Sequence, residues 1–177
     1  CIMPNIGDSE RKTQNRVVEF FRDKLHYTYL GNLHDSEKRN IMQERLHTWL
    51  LKQGYSEKLA SNAVNTLVKT ATNLQQGLYH ANKEVYSLLK YGAKVKESVE
   101  QSPKTVYFID FEDVSKNDFY IAEEVTIVSN NTKRPDIVLY VNGIALAVIE
   151  LKKSSVSVSN GIRQNLTNQK ANFIEDF

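Results

Sequence analysis

Residues 134–152 read RPDIVLYVNGIALAVIELK, and this stretch decides the fold. Two apolar runs rich in β-branched residues, 136–141 and 144–150, flank Asn142-Gly143. Asn-Gly between two such runs is the strongest short-range signal for a β-hairpin. Neither run alternates polar with apolar residues, so we expect both faces of both strands to be covered, as in the sheet of a mixed α/β domain.

The register of this hairpin decides whether its two acids share a face. A plain two-residue turn would be formed by Asn142 and Gly143 alone. Asp136 would then share a face with Ile149, and Glu150 would point to the opposite face. A three-residue loop, with Gly143 in the left-handed position of a G1 bulge, would instead place Asp136 diagonal to Glu150 on one face. We favour the bulged loop, because diagonal neighbours lie about 7–8 Å apart at their Cα atoms, and carboxylates on such residues can share one ion.

The residue types at this end of the sheet suit a divalent metal ion. Mg²⁺ prefers hard oxygen ligands, which the Asp136 and Glu150 carboxylates and the Leu151 carbonyl would supply. Lys152 adds a compact cation that can orient an attacking water or neutralise charge on a phosphate. The set predicts phosphodiester hydrolysis with Mg²⁺, or with Mn²⁺ in its place. The alternative is a solvated strand end, since an Asp before a strand is often a turn residue.

The pattern Pro135-Asp136 followed by Glu150-x-Lys152 resembles the PD-(D/E)xK nuclease motif. With its surroundings, it resembles the N-terminal nuclease region of the restriction (R) subunit of type I restriction-modification enzymes. The segments that carry this resemblance are RPDIVLYVNGIALAVIELKKS (134–154), GIRQNLTNQK (161–170), NDFYIAEEVTIV (117–128), SERKTQNRVVEFF (9–21) and YTYLG (27–31).

The resemblance implies an α/β (α+β) nuclease-like fold, with a mixed sheet flanked by helices and an N-terminal helical part. It implies cleavage of double-stranded DNA in a complex with modification and specificity subunits. ATP is implied only for a motor region of the full subunit, and this chain has no G-x-x-x-x-G-K-[ST] phosphate loop. The rival functions are a non-catalytic DNA-binding or assembly module with a nuclease fold, and a stand-alone repair or structure-specific nuclease.

Two further site candidates follow from the resemblance. Many PD-(D/E)xK folds use an acid of the first helix, and at 100° per residue Glu10 falls on the apolar stripe beside Gln14, while Glu19 falls opposite. We therefore choose Glu10, the alternative being an acid that only complements the helix dipole. The family carries a Gln-x-x-x-Tyr motif after the lysine. Here Gln164 is kept as a candidate contact to the phosphate or to the lysine, or as a solvent-facing amide, and Asn168 stands at the tyrosine position.

The composition indicates how the chain could contact DNA and in which compartment it is expected. A net charge of +2 gives no strong field for nucleic acid, so any DNA contact needs a local patch. One cysteine allows no internal disulfide, and no apolar run is long enough to span a membrane, so we expect a cytoplasmic protein. Large apolar residues in 173–177 lead us to expect a fragment, which need not be active alone. The candidate patch residues are Lys133, Arg134, Lys152, Lys153, Arg163 and Lys170.

We expect a single nuclease domain over 1–177, with the first helix and a helical insert in 1–101 and the sheet core, metal site and a following helix in 102–177. Residues 37–91 are interpreted as packing scaffold, with Trp49 in the core, and alternatively as a docking surface for a partner or flanking DNA. The predicted helices cover 9–25 (capped by Asp8 or Ser9), 37–53, a segment that Ser56 caps, and 79–91. The other predicted elements are strands over 27–30, 105–111, 119–128 and the hairpin, and a last helix ending near 171.

Overall fold

The structure, a computed structural model, describes residues 6–33, 40–125 and 135–151, and side chains from residue 11 onward within these ranges. The described residues form four α-helices and two sheets, one of four strands and one of two. The predicted mixed α/β class is confirmed. The elements are α1 (Ile6–Glu19), β1 (Thr28–Asn32), α2 (Gln43–Lys52), α3 (Glu57–Thr72), α4 (Leu78–Tyr91), β2 (Ala93–Val95), β3 (Lys104–Val106), β4 (Phe119–Glu123), β5 (Ile137–Val141) and β6 (Ile144–Ile149).

The first helix departs from the prediction at both ends. It begins at Ile6, so Asp8 and Ser9 lie inside the helix and not at its N-cap. After Glu19 it continues as a π-helix over Phe20–Lys24. The π-helix takes up more residues per turn, which rotates Leu25 off the predicted apolar stripe and leaves it 45% exposed.

The second helix begins at Gln43, later than the predicted start at residue 37. Ile41 was expected on its apolar stripe but forms an isolated antiparallel bridge with Ile144. The N–H of Met42 donates to the carbonyl oxygen of Gly143 at 2.7 Å. Because the backbone of residues 41–42 pairs with the hairpin, it cannot also form a helical turn.

The chain divides into two compact units, each built from separate stretches of the sequence. Unit 1 comprises residues 1–40, 119–140 and 145–177, and unit 2 comprises residues 41–118 and 141–144.

The interior of unit 2 is a large apolar core. The side chain of Ser56 caps α3 by accepting the N–H of Leu59 at 3.3 Å, as predicted. Trp49 is 2% exposed and its indole N–H donates to the carbonyl oxygen of Lys116, so its prediction as a core residue is confirmed. The buried residues of this core are Ile41, Leu46, Trp49, Leu50, Leu59, Ala60, Ala63, Val64, Leu67, Ala93, Val95, Val106, Phe108, Ile109 and Ile144.

Unit 1 contains most of the four-stranded sheet, whose strand order is β1-β4-β5-β6. Strands β1 and β4 are parallel, and their register shifts between Tyr29 and Asn32. Helix α1 contributes Val18 to a small buried cluster with Ile121 of β4 and Ile137 of β5. This cluster packs helix α1 against strands β4 and β5.

The hairpin turn is the predicted Asn-Gly pair, but it has no bulge. Asn142 has φ +53° and Gly143 has φ +89°, so both central residues are left-handed, as in a type I′ turn. The three-residue loop predicted from the sequence is therefore wrong. The two-residue turn is favoured over the three-residue loop because its twist matches that of the flanking strands, and because Asn tolerates a left-handed backbone.

The prediction that both faces of the hairpin strands are covered is confirmed for β5 alone. Residues of β5 are buried or half-buried throughout. In β6, Leu146 and Val148 are 47% and 42% exposed. Strand β6 is the last strand of its sheet among the described residues, which explains why its middle faces solvent.

Candidate functional site

Asp136 stands at the start of β5, directly after Pro135. Its side chain is half-buried, and Oδ2 accepts the backbone N–H of Leu151 at 2.6 Å. Leu151 follows Glu150 at the far end of the hairpin, so the carboxylate reaches across from one strand to the segment after the other. The structure thus brings together the Asp136 carboxylate and the Glu150-Leu151 backbone, two parts of the predicted site.

The packing of β6 bears on the register of the hairpin. With a two-residue turn and strict alternation, Ile137 and Ile149 would lie on opposite faces. Both instead contact the cluster around Val18, while the three residues 146–148 are all exposed. Strand β6 therefore departs from strict alternation, and the placement of Glu150 on the face of Asp136 stays a prediction.

The donor set fits a hard divalent cation. Asp136 and Glu150 offer carboxylate oxygens, and Leu151 offers a backbone carbonyl oxygen, all of which suit Mg²⁺. Among the residues that the structure describes, no three His, Cys, Asp or Glu side chains are grouped as a metal site. Mg²⁺ does not require such a group, because it keeps several waters and is commonly held by one or two carboxylates.

Several predicted site residues are not placed by the structure. Lys152 and Gln164 lie outside the described residues, as do Asn168 and all the cations of the predicted DNA patch. Glu10 lies in α1, and its side chain is not described. Glu19 is exposed, as predicted.

A buried acid that the sequence argument missed lies at the end of β4. Glu123 is only 7% exposed. Its carboxylate accepts hydrogen bonds from Gln14 Nε2 at 2.6 Å and from the Tyr29 hydroxyl at 2.5 Å. Arg11 reaches the same carboxylate at 3.4 Å and the carboxylate of Glu124 at 3.3 Å. Side chains of α1 and β1 thus converge on one carboxylate.

The surroundings of Tyr29 keep it a hydrogen-bond donor. Burial, followed by the hydrogen bond to the Glu123 carboxylate and its charge, raises the pKa of the Tyr29 phenol to about 12. The phenol therefore stays protonated at neutral pH, and its proton stays directed to Glu123.

Glu123 is adjacent to the Asp136 strand through the backbone. The N–H of Glu124 donates to the carbonyl oxygen of Asp136 at 3.0 Å. The one sequence signal for this contact is an acid at the end of the apolar run 119–122. Its partners Gln14 and Tyr29 lie 109 and 94 positions away, so no local pattern reveals them.

No helix within the described ranges is both long enough and apolar enough to cross a membrane.

Comparison with known proteins gives a consistent result. Residues 8–177 match the family described as type I restriction enzyme R protein N terminus. The HindI endonuclease subunit of a type I restriction enzyme from Haemophilus influenzae is 36% identical over 100 residues, which are 54% of this chain and 10% of that protein. A candidate MjaIXP endonuclease subunit of a type I restriction enzyme from Methanocaldococcus jannaschii is 31% identical over 111 residues, 58% of this chain and 11% of that protein. The chain thus spans about a tenth of the length of these relatives.

Proposed function

Because the chain belongs to the family of type I restriction enzyme R protein N-terminal regions, we propose that it is a metal-dependent endonuclease module that hydrolyses phosphodiester bonds of double-stranded DNA. The observation that carries the proposal is the 2.6 Å hydrogen bond from the Leu151 N–H to Asp136 Oδ2. This bond holds Asp136, the acid of the Pro-Asp pair, beside the backbone of Glu150 and Leu151, which supports a PD-(D/E)xK site.

Each predicted residue has one role in this proposal. Asp136, Glu150 and the carbonyl oxygen of Leu151 would hold Mg²⁺, or Mn²⁺ in its place. The bound ion would offset charge on the phosphate and lower the pKa of a water ligand. Lys152 orients the attacking water or neutralises the developing negative charge. Glu10 adds an acid from α1, and Gln164 contacts the phosphate or Lys152.

The larger assembly is part of the proposal. The curated relatives are named as endonuclease subunits of type I restriction enzymes, and the chain corresponds to about a tenth of their length. We propose double-stranded DNA and the modification and specificity subunits of such a complex as partners, in the cytoplasm. ATP would act only in a motor region of the full subunit.

Lys152 gives the test of catalysis in the complete enzyme. Lys152→Ala should lower DNA cleavage by about a hundred- to a thousandfold, because it removes a cation that acts on the reacting phosphate or water. Divalent-ion binding and ATP hydrolysis should persist. Lys96→Ala, which removes an exposed lysine outside the predicted DNA patch, is the control and should cleave normally.

Two results would replace this proposal by a rival function. Normal cleavage by both Lys152→Ala and Asp136→Ala would make the chain a non-catalytic module with a nuclease fold. A homodimer of the chain that cuts branched DNA without any motor would make it a stand-alone structure-specific nuclease.

A further inference from the structure

Glu123 is a buried acid that the proposed chemistry does not use. Its carboxylate accepts hydrogen bonds from Gln14 and Arg11 of α1 and from Tyr29 of β1. It therefore joins a helix and a strand to the end of β4. A single side chain fixes three elements at that point of unit 1.

The end of β4 is also where the proposed metal site begins. The N–H of Glu124 donates to the carbonyl oxygen of Asp136 at 3.0 Å. Residues opposite each other on neighbouring strands lie about 5 Å apart at their Cα atoms. Whatever holds Glu123 in place therefore also restrains the backbone that carries Asp136.

The charges around Glu123 do not cancel. Among the described residues, Arg11 is the one cation that contacts Glu123 or Glu124, and its side chain is 54% exposed. Gln14 and Tyr29 are neutral donors. Within the described residues, this cluster of one half-exposed cation and two carboxylates therefore has a net negative charge.

We propose that Glu123 is a positioning residue of the metal site, which restrains Asp136 through β4 and keeps negative charge beside the cation that Asp136 holds. The inference rests on the proposed function, because it assigns Glu123 a task at the same site. Glu123 does not touch the cation. It acts through the position of Asp136 and through the local electrostatic potential, which attracts a divalent ion more strongly than a monovalent one.

Three variants of the chain separate charge from structure in a calorimetric titration with Mn²⁺. Glu123→Gln keeps the shape and removes the charge, so affinity should fall roughly three- to tenfold. Arg11→Gln removes the opposing cation, so affinity should rise, by roughly twofold because the guanidinium is exposed. Gln14→Leu removes a hydrogen bond and no charge. It should lower the thermal midpoint of unfolding and, because it loosens one contact that holds Glu123, lower affinity less than Glu123→Gln does.

The direction of the change in Mn²⁺ affinity in each variant decides between the proposal and a purely structural role of Glu123. If all three variants bind Mn²⁺ more weakly, in step with lower thermal midpoints, Glu123 is structural only and the proposal is wrong. If Glu123→Gln does not fold, Arg11→Gln decides, and unchanged or weaker binding by that variant contradicts the role of charge. If wild-type affinity survives in Glu123→Gln but not in Asp136→Ala, the inference fails and the metal site stands. If the wild-type chain binds no Mn²⁺, the metal site and the inference fail together.

Discussion

Each of the two units buries a pair of hydrogen-bonded polar side chains, and the two pairs differ in charge. In unit 2, Asn142 Nδ2 donates to Asn117 Oδ1 at 2.9 Å, an amide on an amide. In unit 1, Gln14 Nε2 donates to Glu123 Oε2 at 2.6 Å, an amide on a carboxylate. All four side chains are at most 8% exposed. Similar burial thus serves a neutral contact in one unit and a charged contact in the other.

The amide pair has what a folding contact needs. Asn142 is fully buried, and its Nδ2 also donates to the carbonyl oxygen of Phe108. Its Oδ1 accepts the N–H of Asp118, and its own N–H donates to the Asp118 carbonyl. The donors and acceptors of Asn142 match those of its partners, and the pair has no net charge. The arrangement therefore stabilises unit 2 without adding to the electrostatic potential around it.

The carboxylate pair does more than fold unit 1. Its charge is only partly offset by Arg11, and it lies one residue from the backbone hydrogen bond to Asp136. Unit 1 also has the smaller described apolar cluster. The large apolar core of unit 2 fits the interpretation of residues 37–91 as packing scaffold, which stays a prediction.

Placing a charge in the neutral amide pair of unit 2 should give the largest change in stability. Asn142→Asp puts a carboxylate into the neutral pair. The carbonyl oxygen of Phe108 and Oδ1 of Asn117 then lose the Asn142 Nδ2 donor and face another acceptor instead. We expect a loss of about 3–5 kcal/mol in the free energy of unfolding, measured by urea denaturation. The reverse exchange, Glu123→Gln, should cost only about 1–2 kcal/mol, because the amide oxygen can still accept from Gln14 and the Tyr29 hydroxyl can turn to accept the new amide N–H. A cost for Glu123→Gln equal to that for Asn142→Asp would contradict the contrast.

A smaller loss is expected from the hairpin turn of unit 2. A Cβ on Gly143 would lie 2.8 Å from the carbonyl oxygen of Met42 and 3.1 Å from the backbone nitrogen of Leu46, at a φ of +89°. Gly143→Ala should therefore lower the free energy of unfolding by about 2–3 kcal/mol.

Gly54→Ala is the matched control for that variant. Its φ is +88° and nothing lies within 4 Å of the added Cβ, so only the backbone strain of about 1 kcal/mol remains. Equal effects of the two variants would mean that the turn does not pack as described.

The sequence predicted those features whose causes are local. Ser56 and Gly92 bound helices where caps were expected, and Asn142-Gly143 forms the hairpin turn. Ile41 was misassigned because its role is set by Ile144, far along the chain. Strand β2 was missed because its three residues are too few to show a period.

The contact of Asp136 with the segment after β6 also has a local cause. Asp136 and Glu150 stand at the two ends of one hairpin, so a short pattern suffices to place them near each other. The packing of Ile149 was not local information, because the cluster that it packs against is formed by residues of α1, β4 and β5. Glu123 could not be recognised, since its partners come from α1 and β1.

The most direct test is a calorimetric titration of the chain with Mg²⁺ and Mn²⁺, with and without Asp136→Ala. The account predicts that the wild-type chain binds one ion and that Asp136→Ala lowers its affinity at least about tenfold, or about 1.4 kcal/mol, without unfolding. Asp23→Ala removes a half-exposed acid of the same unit, paired with Arg22, and should bind like the wild type. Equal affinity in the wild type and in Asp136→Ala would contradict the central claim that Asp136 is a metal ligand.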